Sequence, residues 1–598
     1  MDLRGPLPGS LGLPERALAA LVGFVAFSVV LMLIHIVTGG AVFGLPGVVP
    51  ALAFGVVLWG ARHHIWRVRG VPWLRVVAAV AVISALFIVP AVGGGSAMRT
   101  GDDPWHLGWT EQLLHGMPIP VGPAPVDANA YPWGFHAVMA TMVRMVPGTD
   151  PPTALEALDM LIALAIPTAA ACLARRLDRR AGWGAAAATA LVGGFGWILA
   201  WGPAFLTSPR HPQYGADLVA ASPNAMYELF PPPLPRELGL AMLGAVGFLV
   251  VAAARRGRRG PAVLSGVVLG LVGLVSVPMF VSAAVWTVAG VAVARSGTRL
   301  RLLAWMLAPA ALLFAAWAAP VTASYLRYGG FVDTTAHLGY EWPLITSLGS
   351  WGMLLPLALA GLWLTLRSRD PRGRPVIAFV AAALCLLGLS FARGAFGWDL
   401  GGNATLLHQG RMWPPLHLLG GAFAGIVPAR LWSLVEPRRR LLGAGMSLAI
   451  LGVGAVSPAL ASIQMTRIIH SGSGGFVYGA DDYQAGSFVR RAASQLQPGD
   501  VVAVQGARSG GGASLLAFAL FQFSGARLAA YENEKLQGND LRIRYRELAH
   551  RWDRRIAGRG YRSDFRVVSC GTRCPPGALE SGDFAGSRWA LVRAAASI

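Results

Sequence analysis

Asp102 and Asp103 are adjacent carboxylates just beyond an apolar run, in Arg99-Thr-Gly-Asp-Asp-Pro-Trp-His-Leu-Gly-Trp-Thr-Glu111. Like charges held side by side resist joint ionisation, so one carboxyl can keep a raised pKa and act as a general base. The pair also offers hard oxygen ligands of the kind Mg²⁺ or Mn²⁺ takes. A third reading is a solvated turn, with Pro104 starting a helix and an aspartate capping it. Residue type leaves all three open.

Arg411 opens a late apolar run with His408 one turn before it, and Arg236 stands beside Glu237 at the start of another. A guanidinium binds two phosphate oxygens at once, which suits a departing phosphate. Snorkelling at a helix end explains a lone arginine equally well. Trp105, Trp109, Tyr131, Trp133, Trp398 and Trp413 sit near ends of apolar runs, where an interfacial belt places aromatic rings. Trp105, Tyr131, Trp133, His106, His136 and Glu237 are candidate substrate contacts, with Trp105 and Trp133 expected in a pocket. The two histidines read as hydrogen-bonded loop residues, since no spaced metal-ligand triad accompanies them. Glu156 and Asp159 are expected near a membrane boundary or paired with Arg144.

The elements that must hold these residues are membrane helices. A hydrocarbon core of about 30 Å needs about 20 apolar residues per crossing. Thirteen candidate spans follow: 17–38, 45–61, 76–93, 154–174, 183–203, 238–254, 261–277, 280–294, 302–322, 349–366, 375–391, 413–429 and 441–461. The segment Phe135–Val146 is short and contains Arg144, so it reads as an interfacial or re-entrant helix. The first span reads as an uncleaved anchor.

The formal charge of +21 looks at first like a nucleic-acid binder, but its distribution excludes that. The gaps 1–16, 62–75, 175–180, 255–259, 295–301, 367–374 and 430–440 hold 25 of the 50 Lys+Arg with only five acids. Basic short loops stay cytoplasmic, which puts the N-terminus inside and residues 462–598 outside. The acid pair, Arg236 and Arg411 then lie on the outer side, where arginines are sparse. Lys535 is the only lysine, as expected of a GC-rich coding sequence such as an actinobacterial one.

Residues 1–461 form the membrane body, and residues 462–598 a small extracytoplasmic α/β domain. Val501–Gln505 and Trp589–Arg593 read as strands, and Asp540–Ile556 as an amphipathic helix. Cys570 and Cys574 fit a local disulfide, while Cys172 and Cys385 read as packing residues. No phosphate loop, dinucleotide fingerprint, Ser-His-Asp signature or zinc-protease helix is present.

This layout resembles the polytopic C-type glycosyltransferases that use polyprenyl-phosphate sugars. The likeness rests on Asp102-Asp103-Pro-Trp, on Tyr131-Pro-Trp-Gly-Phe135 and on a short helix before the next crossing. Thr405-Leu-Leu-His-Gln-Gly-Arg411 and the outer tail bring it nearest to the actinobacterial galactan arabinofuranosyltransferases, although Trp133 replaces the second proline of their pattern. The resemblance implies a plasma-membrane enzyme working at the outer leaflet, with a polyprenyl-phosphate sugar donor, plausibly of arabinofuranose, and a cell-wall polysaccharide acceptor. It implies Asp102 or Asp103 as base, and Arg411, with Arg236 or His408, on the lipid phosphate. No cofactor is required beyond the divalent cation left open above. Two rivals stand beside it. A transporter or flippase of lipid-linked sugars predicts polar or broken helices at mid-membrane; a cell-wall-binding scaffold predicts inert outer loops.

Overall fold

The computed structural model describes residues 12–62, 103–122, 131–192, 235–294, 296–328, 351–368, 370–371, 373–396, 409–434, 486–505, 512–528 and 563–594, with isolated positions 442, 445, 446, 449, 452 and 453. The body comprises α1 (Leu13–Val37), α2 (Val48–Arg62), α3 (Asp103–Leu114), α4 (Gly134–Met145), α5 (Pro151–Leu177), α6 (Gly182–Leu191) and α7 (Pro235–Arg256). It continues with α8 (Arg259–Val275), α9 (Val277–Ala292), α10 (Arg299–Tyr328), α11 (Leu354–Ser368), α12 (Arg374–Phe396), α13 (Gln409–Ala424) and α14 (Ile426–Leu434).

Among the described residues five helices are long and apolar enough to cross a membrane: Leu13–Val37, Pro151–Leu177, Pro235–Arg256, Arg299–Ala323 and Arg374–Ala392. Others expected to cross, such as Arg259–Val275 and Val277–Ala292, are shorter apolar helices of 17 and 16 residues. Ser276 separates those two, with Pro278 in the first turn of α9. The expected span 413–429 is broken at Gly425, where α13 passes so close to Ala185 that no Cβ fits. Spans 76–93 and most of 441–461, and the second half of 183–203, lie outside the described residues.

Local chemistry sets the ends. Asp150 caps α5 by accepting from the Thr153 amide at 3.0 Å, and prolines occupy the first turn, where no N–H is needed. Helix α7 is enclosed by α5, α8 and α9, with Gly244 allowing close approach to Ala169. Rings of Trp286 on α9 and Phe379 on α12 stack 5.1 Å apart behind it. Helix α10 instead leaves Leu312 exposed, as a lipid-facing helix would.

The tail adds α15 (Phe488–Ser494), β1 (Val501–Val504), α16 (Gly512–Ser524), β2 (Arg527–Leu528), β3 (Phe565–Ser569), β4 (Glu580–Phe584) and β5 (Ser587–Arg593). The sheet order is β2-β1-β3-β5-β4, with β1 parallel to β2 and β3, and β5 antiparallel to β3 and β4. The β4–β5 hairpin turns at Ala585 and Gly586, both at positive φ as a two-residue turn of this hand demands. A disulfide joins Cys570 to Cys574 just past β3. Cys172 is buried, but Cys385 is exposed on α12, so packing does not explain the second. The segment Asp540–Ile556 lies outside the described residues.

Candidate functional site

The stretch read as an outer loop is a helix. Asp103 opens α3 and Pro104 follows it. Asp102 and His408 lie outside the described residues. Helix α3 is wedged between α4 of the body and α16 of the tail, and it is buried on both sides.

On the body side, His106 and His136 are not loop residues. Each is buried on a helix, and His106 Nδ1 lies 2.9 Å from His136 Nε2 in a hydrogen bond between the rings. Burial lowers the His106 pKa to about 3, and burial with His106 as neighbour pushes His136 well down, so both rings stay neutral. Phe135 and Tyr131 pack on the His106 ring at 5.1 and 5.3 Å. The Tyr131 carbonyl accepts from Trp317 Nε1 of α10 at 3.1 Å.

Trp133, expected in a pocket, is buried at the entry to α4. Gly134 beside it abuts the Leu274 carbonyl, which a Cβ there would meet at 2.6 Å. Nε2 of His106, Nδ1 of His136 and the indole nitrogens of Trp109 and Trp133 are buried without a hydrogen-bond partner among the described residues. Each such group costs about 1–3 kcal/mol, as do the indole nitrogens of Trp286, Trp351 and Trp413, which are likewise buried without a partner among the described residues.

On the tail side, Trp105 is not open to a pocket but packs on Phe521 and Phe518 of α16, at 5.1 and 5.5 Å. Trp109 belongs to the same buried cluster and is no membrane belt. The Phe521 ring covers Gly108, where a Cβ would collide with it. Gln112 Nε2 donates to the Gly525 and Val121 carbonyls at 2.9 and 3.2 Å, and its Oε1 accepts from the Val121 amide at 2.7 Å. Sequence reading missed Gln112 and Gly108; the signal was Gly512–Ser524, thirteen residues without a charge inside a polar tail.

Glu111 was also missed. Burial raises its pKa to about 8, with Asp150 adding to the rise and Arg490 and Arg144 opposing it. Arg144 does not pair with Glu156 or Asp159; it donates to the carbonyls of Phe43 and of Leu114, the last residue of α3. That guanidinium satisfies the C-terminal end of α3.

Arg236 pairs with Glu237, its Nε and Nη2 both 2.8 Å from Oε1 of that buried carboxylate. Arg411 is partly buried in the first turn of α13. Trp413 is buried against Trp351 at 5.8 Å rather than standing in a belt. No three His, Cys, Asp or Glu side chains converge as a metal site among the described residues.

No protein-family profile and no curated protein matches the chain. Among solved structures, apo ArnT from Cupriavidus metallidurans is similar over 87% of this chain and 97% of that one, at 14% identity and a TM-score of 0.46. A likeness at that level decides nothing about chemistry.

Proposed function

We propose that the chain is an integral membrane glycosyltransferase of the C type. It moves a sugar, taken to be arabinofuranose, from a polyprenyl-phosphate donor to a cell-wall glycan at the outer leaflet. The observation that carries this reading is on α3. One helix, held between the membrane body and the outer domain, begins with Asp103 and then presents buried imidazole and indole nitrogens among aromatic rings.

In the reaction, the acceptor hydroxyl attacks the anomeric carbon as the bond from that carbon to the lipid phosphate oxygen breaks. The hydroxyl proton passes to Asp102 or Asp103, and the bonding electrons leave with the phosphate. Arg411 at the entry to α13 stabilises that charge, with His408 as second donor. Arg236, paired with Glu237, is a further candidate donor to that phosphate. The oxygen chemistry of the aspartate pair would suit a divalent cation.

The test incubates the purified full chain with synthetic polyprenyl-phosphate sugars and follows product by mass spectrometry. Asp102→Ala or Asp103→Ala is expected to fold and to lose about 10²–10⁴ in rate. Full activity in both variants removes the mechanism. No product from any lipid-phosphate sugar removes the reading.

A further inference from the structure

The arginines at the face assigned to the cytoplasm are of two kinds. Arg175 pairs with Glu15 at 2.7 Å and Arg430 with Asp178 at 3.6 Å. Arg256, Arg258, Arg259, Arg299 and Arg301 form no ion pair among the described residues, and all five are exposed. A topology signal accounts for their side of the membrane but not for their convergence.

Close packing brings them together. Helices α8 and α10 run parallel. Gly266 abuts the Met306 carbonyl, Gly270 would meet Leu313 Cβ at 2.7 Å and the Ala310 carbonyl at 3.1 Å, and Gly273 faces Phe314 at 2.5 Å. Small residues spaced in this way let two backbones approach within a bilayer. Their N-terminal ends therefore meet. Arg259 of α8 and Arg301 of α10 lie over the same Trp305 ring, at 5.8 and 5.2 Å from its centre. The preceding turns also touch, since a Cβ on Gly257 would lie 3.5 Å from Thr298 Cγ2. Beside this cluster Leu264, Leu300 and Leu307 are exposed on the same two helices.

We infer that the paired turns bind an anionic phospholipid of the inner leaflet. Arg259 and Arg301 grip the phosphodiester, Arg256, Arg258 and Arg299 add attraction, and Trp305 sits at headgroup level. Guanidinium forks match phosphate oxygens, and basic pockets between helices on the cytoplasmic side suit such headgroups. The exposed leucines supply the wall along which the acyl chains lie.

The experiment is native mass spectrometry of the full chain in detergent, with phosphatidylglycerol or phosphatidylcholine at equal excess. Phosphatidylglycerol is expected to be retained preferentially. The Arg259→Gln/Arg301→Gln pair weakens that retention about 30-fold, from roughly one surface-arginine increment each. Arg367→Gln, which removes an arginine over Trp363 outside this cluster, leaves retention unchanged. Equal retention of the two lipids, or undiminished retention in the double variant, overturns the site. Complete displacement by inorganic phosphate also overturns it, because a lipid held by its chains as well resists that competitor. If the double variant does not fold, each single variant must weaken retention about fivefold, and normal retention in both overturns the site.

Discussion

Two seams hold this molecule together with the same device and opposite surroundings. At the α8–α10 seam, Gly266, Gly270 and Gly273 let one apolar helix lie almost on the backbone of another, with no polar hook between them at those positions. At the α3–α16 seam, Gly108 again makes room, but for the Phe521 ring, and Gln112 ties the two parts by hydrogen bonds. Inside a bilayer, apolar burial does not draw helices together, so backbone proximity and dispersion must. Toward water, a ring in a notch gains from the hydrophobic effect, and the polar hooks set its register.

The difference predicts unequal tolerance. Gly266→Leu meets the Met306 carbonyl and Pro309 Cγ, the latter at 2.6 Å from the new Cβ, and neither is the far end of a flexible chain. Overpacking typically costs about 1–3 kcal/mol, and here backbone must move, so the effect is expected at or above that range. Thermal melting of the detergent-solubilised protein checks it. A normal melt would show that the parallel packing is looser than its glycines imply.

Phe521 is a side chain that can be shortened, so the notch at Gly108 is repairable where the carbonyl contact at Gly266 is not. Gly108→Ala is expected to destabilise by about 1–3 kcal/mol, because the buried ring has no free direction to turn. Phe521→Leu also destabilises, but the double variant recovers part of the loss, with a coupling of about 0.5–3 kcal/mol. Protease sensitivity of the tail and the melting midpoint read this cycle. Strict additivity would mean that ring and notch do not meet in solution.

The two seams were unequally legible in the sequence. Apolar runs announced most body helices within a few residues, because a membrane helix needs only its own composition to be recognised. Strands β1 and β5 were equally plain, since Val501–Val504 and Ser587–Arg593 are short apolar segments in a polar tail. Helix α3 was not. Covered by α4 on one side and α16 on the other, Asp103–Leu114 mixes acid, imidazole, indole and leucine with no amphipathic stripe. The contact that explains it joins Gln112 to Gly525, 413 residues away, and no local pattern encodes such a pairing. For the same reason His106 and His136 read as loop residues and Trp105 as a pocket wall. The acid pair was visible by type alone, while Glu111, a single carboxylate in a helix, carried no signal before its burial was known.

Glu111 gives the prediction with the sharpest sign. Burial holds its carboxyl up to about 8 from the ordinary 4.5, so the folded chain keeps a proton that the unfolded chain has lost. Below pH 4.5 both states are protonated and the group contributes nothing. Between 4.5 and about 8 stability falls as pH rises, and above 8 the deficit is constant. The histidines act in reverse: both are held below their ordinary 6.5, so their contribution is lost as pH falls beneath that value. The seam is thus pressed from both sides, and Glu111→Gln relieves only the alkaline one. The variant should melt with the parent near pH 4.5, melt higher at pH 8.5, and have its stability maximum moved upward. Identical pH profiles would instead mean that Arg490 and Arg144 keep Glu111 ionised, and that charge pairing rather than burial governs the α3–α16 seam.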